Sequence, residues 1–138
     1  MPRPNFSGTW TFNPGKSHLE VPPPDRSVFV IEHSEPRFRL DRTHVMGGKP
    51  DGLSIELTTD RTPVVQTVQG LEIHSTLRWE GDALLLVSTF PAEGDEASSA
   101  VRYRLGSEGQ VLEAEERLRS SRLSYENRWV FDKAPPAG

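Results

Sequence analysis

The chain of 138 residues contains no cysteine, which excludes disulfide bonds, thiolate nucleophiles and cysteine-ligated metal sites. No window approaches the ~18 consecutive apolar residues that a membrane-spanning helix needs. The first residues, Met-Pro-Arg-Pro-Asn, lack the apolar segment of a secretory signal. As given, the sequence therefore predicts a soluble, cytoplasmic protein.

Positive charge is also scarce, because 16 Lys and Arg face 20 Asp and Glu, for a formal net charge of -4. Phosphate binding needs a basic surface, so this balance argues against a nucleic-acid partner. His18 and His44 are expected in loops and have no spacing typical of a metal site. We expect no metal and no other cofactor. The length predicts one domain, residues 1–138, in which residues 134–138 form a frayed tail.

The second half, from Val64 to Phe131, alternates apolar and polar residues almost throughout. Such a period of two is typical of half-buried β-strands. Gln69-Gly70 and Gly81-Asp82 have the composition of two-residue hairpin turns, and a turn fixes the pairing of the strands on either side. The predicted pairs are Val64 with Ser75, Gln66 with Ile73, Val68 with Leu71, Ile73 with Phe90, Ser75 with Ser88, Leu77 with Leu86, and Trp79 with Leu84.

Two further reversals are assigned to Gly106-Ser107-Glu108-Gly109 and to Ser120-Ser121. Directly opposed residues share one face of a sheet. The first reversal pairs Tyr103 with Leu112, Val101 with Ala114, and Ser99 with Glu116; the second pairs Leu118 with Leu123, Glu116 with Tyr125, Ala114 with Asn127, Leu112 with Trp129, and Glu113 with Arg128 on the outer face.

The first half has more prolines and is less regular. The stretch Val21-Pro22-Pro23-Pro24-Asp25 must be extended or irregular, because each proline fixes φ and removes a donor. Strands are predicted at Asn5 to Phe12, Ser27 to His33, Arg37 to Arg42 and Leu53 to Thr59, with Met46 to Gly52 as a loop. The whole chain then has about ten strands.

These strands follow one another through short loops, carry one apolar face, and lack an amphipathic helix that would cover it. A sandwich or a closed barrel would bury that face. Closure also removes unpaired edges. The sequence therefore predicts an all-β, up-and-down antiparallel barrel of about ten strands.

Phe6-Ser7-Gly8-Thr9-Trp10 resembles the opening of the calycin barrels, the superfamily of lipocalins and fatty-acid-binding proteins, with the lipocalin Gly-x-Trp at Gly8-Thr9-Trp10. The stretch from Asn127 to Lys133 is similar to the closing strand of fatty-acid-binding proteins. Asn13-Pro14-Gly15-Lys16-Ser17 resembles uncharacterised bacterial lipocalin-like proteins. The resemblance implies a calycin barrel that holds a small molecule in its interior.

Two departures from fatty-acid-binding proteins affect the expected ligand. Those proteins have a helical pair after the first strand, where this chain has its proline-rich stretch. They also bind a carboxylate through an Arg and a Tyr on the last strand, and the matching positions here are Trp129 and Phe131. The resemblance thus implies a neutral or aromatic ligand.

Our first functional prediction is the binding of a small hydrophobic or amphipathic ligand inside the barrel. Small hydroxyl side chains among apolar ones leave volume and present donors and acceptors to a ligand. The predicted ligand-binding residues are Gln66, Ser75, Ser88, Ser99, Tyr103, Tyr125, Asn127, Trp79, Trp129 and Phe131.

The alternative is a cofactor-free isomerase, cyclase or hydratase. Glu116, predicted inside the barrel next to Ser99 and Tyr125, is suited to act as a general acid or base. His33, on an apolar face near a strand end, is the other candidate for proton transfer.

A third possibility is a filled barrel that serves as an interaction module. Leu85 and Val87, on the predicted outer face, would then mark a dimer edge. The chain is expected to be a monomer or a weak homodimer, with a small apolar molecule as its partner.

Overall fold

The computed structural model describes residues 4–92, 95–121 and 123–134, so residues 135–138 of the predicted tail lie outside the described part. The described residues form ten strands and two 3-10 turns, Pro14–Lys16 and Ser107–Gly109. The strands are β1 (Gly8–Phe12), β2 (Arg26–Ser34), β3 (Arg37–Met46), β4 (Lys49–Thr58), β5 (Val64–Val68), β6 (Leu71–Glu80), β7 (Ala83–Ala92), β8 (Asp95–Gly106), β9 (Val111–Arg119) and β10 (Ser124–Lys133).

All ten strands lie in one antiparallel sheet, in the order β4-β3-β2-β1-β10-β9-β8-β7-β6-β5. Except for β4 and β5, consecutive strands pair with each other, and β1 pairs with β10 to bring the two halves together. The edges β4 and β5 are not paired with each other within the described residues, but the Gln66 Nε2 group donates to the backbone oxygen of Ser54 across the gap. The predicted up-and-down barrel is confirmed, in a nearly closed form.

The two hairpins predicted from their turn dipeptides have the predicted registers. Gln66 lies opposite Ile73, and Ser75 lies opposite both Val64 and Ser88. Around Gly81-Asp82, Trp79 faces Leu84 and Leu77 faces Leu86.

The next two registers were predicted wrongly, each with partners two residues away from the observed ones. The first loop begins one residue later than predicted, since Gly106 still pairs with Val111, and the second reversal spans residues 120–123, since Arg119 pairs with Ser124. A shift of two residues preserves the face of every side chain. The observed pairs are Tyr103 with Ala114, Val101 with Glu116, Ser99 with Leu118, Leu118 with Tyr125, Glu116 with Asn127, Ala114 with Trp129, Leu112 with Phe131 and Glu113 with Val130.

The predicted loop from Met46 to Gly52 is also wrong. Gly47 and Gly48 have φ of 57° and 78° and form a two-residue turn, which needs positive φ at both central positions. β3 therefore continues to Met46 and β4 begins at Lys49. As a result His44, predicted in a loop, lies within β3.

The first strand begins at Gly8, three residues later than predicted. In the residues before β1, side chains make the hydrogen bonds that backbone groups make within the sheet. The amide of Asn5 and the hydroxyl of Ser7 donate to the carbonyl of His33 at 3.0 and 3.1 Å. The His33 N–H in turn donates to the Ser7 hydroxyl at 2.8 Å. These bonds fix the entering chain against the end of β2.

One end of the barrel is filled by large apolar side chains. Their alternation along the strands places them on the inner face, where each contributes about 1.5–3 kcal/mol when fully buried. Strand side chains with less than 2 % of their surface exposed include Trp10, Phe38, Leu57, Leu77, Leu84 and Leu112, and Phe6, which precedes β1, is equally buried. This filled end fixes the barrel and leaves the other end to form a site.

The outer face of β7 is covered by neighbouring side chains. Leu85, predicted to mark an exposed dimer edge, is only 8 % exposed. It lies opposite Arg78 on β6 and Arg102 on β8, whose guanidinium groups both pair with Glu80. Long arginine stems readily cover apolar surface in this way.

The segment between β1 and β2, residues 13–25, runs beside β10 before it turns into β2. The backbone N–H of Asn13 donates to Val130 O, and His18 forms an isolated bridge with Arg128. Leu19 packs against the core. This segment, which we call the closing segment, occupies the place of the helical pair of fatty-acid-binding proteins, and the only helical turn in it is the 3-10 turn Pro14–Lys16.

Candidate ligand-binding site

A cavity of about 430 Å³ lies in the half of the barrel opposite the filled end. It is bounded near its mouth by residues that flank the β3–β4 and β5–β6 turns, including His44, Asp51 and Gln69. Alternating strand residues turn their apolar members inward, so most of the wall is aliphatic or aromatic. The apolar lining includes Phe29, Leu40, Leu53, Ile55, Ile73, Leu86, Phe90 and Val101.

A band of polar side chains crosses this apolar wall. The Ser75 and Ser88 hydroxyls lie 2.9 Å apart in a hydrogen bond, as expected for directly opposed residues. Among the predicted ligand-binding residues, Gln66, Ser75, Ser88, Ser99, Tyr103 and Trp129 line the cavity. The band gives an otherwise apolar space a small number of fixed donors and acceptors.

The other predicted ligand-binding residues occupy different positions. Phe131 is fully buried against Phe29, with ring centroids 4.3 Å apart. Trp79 lies toward the filled end, where its indole N–H donates to Glu35 Oε1 at 3.1 Å. Tyr125 borders a surface depression near the β9–β10 reversal.

Glu116 lines the cavity and is held by two donors. Its Oε1 atom accepts hydrogen bonds from Asn127 Nδ2 at 2.9 Å and from Trp129 Nε1 at 3.1 Å. Asn127 also accepts a bond at 2.7 Å from the backbone N–H of Glu20 in the closing segment. The corrected register thus replaces the predicted neighbours of Glu116, Ser99 and Tyr125, with Val101 and Asn127.

Tyr103 is almost fully buried within the same wall, with 3 % of its surface exposed. Burial raises the pKa of its phenol far above the usual value, the charge of Arg42 opposes that shift, and the charge of Glu116 adds to it. Tyr103 is therefore a neutral hydroxyl donor at physiological pH. Burial and Glu116 also raise the pKa of Tyr125, again against Arg42.

Sequence reasoning missed Arg42 and His44, which both line the cavity. Burial first, and then the charge of Arg42, lower the pKa of His44 to about 4, although Asp51 acts in the opposite direction. The imidazole is thus neutral at neutral pH, and it stacks on Trp129 at 5.6 Å. For His44 the Gly47-Gly48 dipeptide was the available signal, because a two-residue turn there extends the alternation of β3 beyond Arg42.

No protein-family model matches the chain, and no curated protein matches it either. Solved structures do match. Secretory abundant heat soluble protein 4 from Ramazzottius varieornatus is 14 % identical with a TM-score of 0.68, over 98 % of this chain and 99 % of that one. Human cRBP IV is 13 % identical with a TM-score of 0.65, over 95 % and 99 %. Zebrafish ileal bile acid-binding protein complexed with cholic acid is 11 % identical with a TM-score of 0.63, over 94 % and 98 %.

The fold is that of the calycin barrels. The TM-scores establish a shared architecture. At such low sequence identity, the chemistry of the site must be derived from the residues of this chain.

The filled end of this barrel contains a second polar cluster around His33. The His33 Nδ1 atom accepts a bond from the Phe6 N–H at 3.1 Å, so Nε2 carries the proton and donates to Glu35 Oε1 at 2.7 Å. Thr59 donates to the other carboxylate oxygen at 2.8 Å. His33 lies outside the set of residues that line the cavity, and its bonds connect the chain before β1 to the β2–β3 turn.

Hydrogen bonding decides the ionisation of Glu35. Partial burial alone would raise its pKa, but the hydrogen bonds from His33, Thr59 and Trp79 lower the pKa below its usual value. Glu35 therefore remains a carboxylate well into the acidic range and keeps its three donors.

Within residues 4–92, 95–121 and 123–134, no group of three or more His, Asp or Glu side chains is arranged to hold a metal ion. The same residues include no helix of the length and apolarity that crossing a membrane requires.

Proposed function

We propose that this protein binds one small hydrophobic or amphipathic molecule inside its barrel. The observation that carries the proposal is the cavity of about 430 Å³ with an apolar wall and a narrow polar band. Ligand sites are typically concave, mostly apolar and equipped with a few placed polar groups, in volumes of roughly 300–1,000 Å³. The cavity has each of these properties.

The comparisons support the proposal at the level of architecture. The zebrafish neighbour is a bile acid-binding protein in complex with cholic acid, and its barrel covers almost the whole of this chain. A barrel of this kind can thus enclose a molecule with an apolar body.

A fluorescent apolar probe, N-phenylnaphthylamine, tests the proposal directly. We expect its emission to rise on addition of the protein and to saturate at one probe per chain. Ser99→Phe should abolish this signal, because Ser99 lines the cavity and the introduced ring would occupy it. A Kd in the micromolar range corresponds to about -8 kcal/mol.

Ser98→Phe provides the matched control, since Ser98 precedes Ser99 on β8 and is exposed. We expect this variant to bind the probe like the original chain. Equal binding by both variants, or no binding by the original chain, would contradict ligand binding in the cavity. Native mass spectrometry of the purified protein, followed by extraction, would identify any molecule that it already holds.

Cofactor-free proton transfer is a second candidate, favoured by the position of Glu116. Of the two predicted catalytic residues, Glu116 lines the cavity, whereas both ring nitrogens of His33 are engaged at the filled end. If an extracted molecule is converted by the protein, Glu116→Gln should slow the conversion more than His33→Ala does. An unchanged rate in Glu116→Gln would remove this role.

A further inference from the structure

The buried side-chain atoms without a hydrogen-bond partner fall in one small region. Among the described residues they are Ser27 Oγ, Arg42 Nε and His44 Nδ1. Ser27 lies directly opposite His44 on β2, and Arg42 precedes His44 by two residues on the same face of β3. Buried polar groups normally have partners, so this clustering indicates a site that an outside molecule completes.

Arg42 is the most demanding member of the cluster. Its guanidinium is always charged and offers five N–H donors, yet no hydrogen bond or ion pair of Arg42 exists within the described residues. Several outward-facing arginines are paired: Arg37 pairs with Glu56 at 2.7 Å, and Arg128 pairs with Glu113 at 2.7 Å. Arg42 is thus an unpaired cation at the cavity wall, as far as the described residues are concerned.

The charged groups around Arg42 leave it available to a ligand. The carboxylate of Glu116 is held by Asn127 and Trp129, and no oxygen of Glu116 lies within 4.0 Å of the guanidinium. Asp51 is exposed at the rim, opposite His44. His44 is uncharged at neutral pH, so it neither neutralises nor repels the guanidinium.

Tyr103 adds a second donor from the opposite side of the barrel. Tyr103 lines the same cavity, and its phenol lies within electrostatic range of Arg42. The apolar side chains of Leu40, Ile55 and Leu86 continue the wall away from the cluster. Polar donors on one part of the wall and aliphatic surface on the rest favour an amphipathic ligand.

We propose that Arg42, assisted by His44 and Tyr103, binds the anionic oxyacid head of an amphipathic ligand whose apolar body lies along the aliphatic wall. This inference rests on the proposed function and names the ligand class of the same cavity. Carboxylates, sulfonates and phosphates share the oxygen geometry that a guanidinium binds in a bidentate manner. The last strand lacks the Arg with which fatty-acid-binding proteins bind a carboxylate, and this absence implied a neutral ligand. In this barrel Arg42 on β3 provides the cation instead.

Two fluorescent probes with the same aromatic body distinguish the contribution of an anionic head to binding from that of the apolar body. Anilinonaphthalenesulfonate carries a sulfonate, whereas N-phenylnaphthylamine does not. We expect the sulfonate probe to bind more tightly to the original chain. Arg42→Gln should weaken it by about tenfold or more, since a charge-assisted bond is lost, and should change the neutral probe by less than about twofold.

Arg39→Gln is the matched control, because Arg39 lies on the same strand, faces outward and pairs with Asp41 at 3.2 Å. It should leave both affinities unchanged. Circular dichroism and thermal melting of each variant would show that it is folded. Loss of both probes in folded Arg42→Gln, or loss of neither, would overturn the assignment of the head to Arg42.

The outcomes also separate this inference from the proposed function. Binding of the neutral probe with no advantage for the sulfonate would leave the cavity proposal standing and refute the anion site. Binding of neither probe would refute both. Displacement of the neutral probe by dodecanoate, dodecyl phosphate and dodecanol identifies the head: both anions should compete better than the alcohol, and the stronger one names the oxyacid.

Discussion

The side chain of His44 faces the cavity from β3, stacks on Trp129, and has an Nδ1 atom without a hydrogen-bond partner. Burial and the neighbouring Arg42 disfavour its protonated form. The folded protein therefore resists taking up a proton that the unfolded chain accepts readily.

This resistance predicts an acid-sensitive stability. The pKa of His44 is about 4 in the folded state and 6.5 in the ordinary state, so between those values the unfolded chain binds more protons. The stability that neutral His44 contributes is complete above pH 6.5 and is lost as pH falls to about 4. His44→Gln should flatten the urea-unfolding free energy over that window, with circular dichroism as the readout.

His74→Gln is the control for that experiment. His74 is exposed and pairs with Glu72 at 2.7 Å on the outer face. The same substitution there should preserve the slope between pH 4 and 6.5 that we assign to His44. A flat profile in the original chain would show that His44 is hydrated in the folded state.

Among the strands and turns, the β5–β6 turn has an evident weak position. Gln69 has φ of 51° and Gly70 has φ of 80°, a pair of left-handed residues that a two-residue hairpin turn requires. Glycine adopts this region freely, but glutamine pays a steric cost there, whereas asparagine tolerates it better. The hairpin forms despite Gln69 because its flanking residues pair correctly.

Gln69→Asn should therefore stabilise the protein by about 0.5–1 kcal/mol. The measurement is the midpoint of chemical unfolding at constant slope. Gln110→Asn is the control, because Gln110 lies in the β8–β9 loop and is not among the described residues with positive φ. An equal gain from both substitutions would assign the effect to asparagine itself.

The turns also explain how far the sequence alone could predict this fold. Gln69-Gly70 and Gly81-Asp82 are short, so composition and alternation together determine one register. The loop after Gly106 and the reversal after Arg119 are each four residues long, and composition alone determined neither where the first begins nor how long the second is. The apolar faces were nevertheless predicted, because both errors moved the pairing by two residues.

The site was harder to predict than the fold. Alternation identified Ser75, Ser88 and Ser99 as inward-facing, but it could not show that Arg42 lacks a partner, since that depends on distances between strands far apart in sequence. The Gly-rich stretch after Met46 has the composition of a loop, so the predicted strand ends at Arg42, four residues before the observed end of β3. The unpaired cation became visible only from the assembled barrel.

In the molecule as a whole, the closing segment and the cavity are connected through Asn127. Its side chain donates to Glu116 at the cavity wall and accepts from the Glu20 N–H in the closing segment. Asn127 is only 4 % exposed, so loss of its side chain removes two part-buried hydrogen bonds and leaves the Glu20 N–H without its acceptor. Asn127→Ala should destabilise the protein by about 1–3 kcal/mol and speed hydrogen exchange at the Glu20 amide.

Asn127→Asp distinguishes the two bonds. The carboxylate keeps an acceptor for the Glu20 N–H but brings a negative charge against Glu116. We expect near-normal protection of the Glu20 amide together with reduced stability at neutral pH. Unchanged protection of that amide in Asn127→Ala would show that the closing segment is held by its other contacts, such as the bridge between His18 and Arg128.

The pairing of β1 with β10 sets the entropy of closing this barrel. Within the described residues, all the remaining strand pairs join strands that are adjacent in sequence, whereas this pair joins the first strand to the last. Loop-closure entropy grows with the length of the loop, and folding slows as contacts become less local. A circular permutant that begins at β5 and ends at β4 would break the chain between the two unpaired edge strands and would join β10 to β1. Every strand pair would then be adjacent in sequence, so the same sheet would form with low contact order throughout.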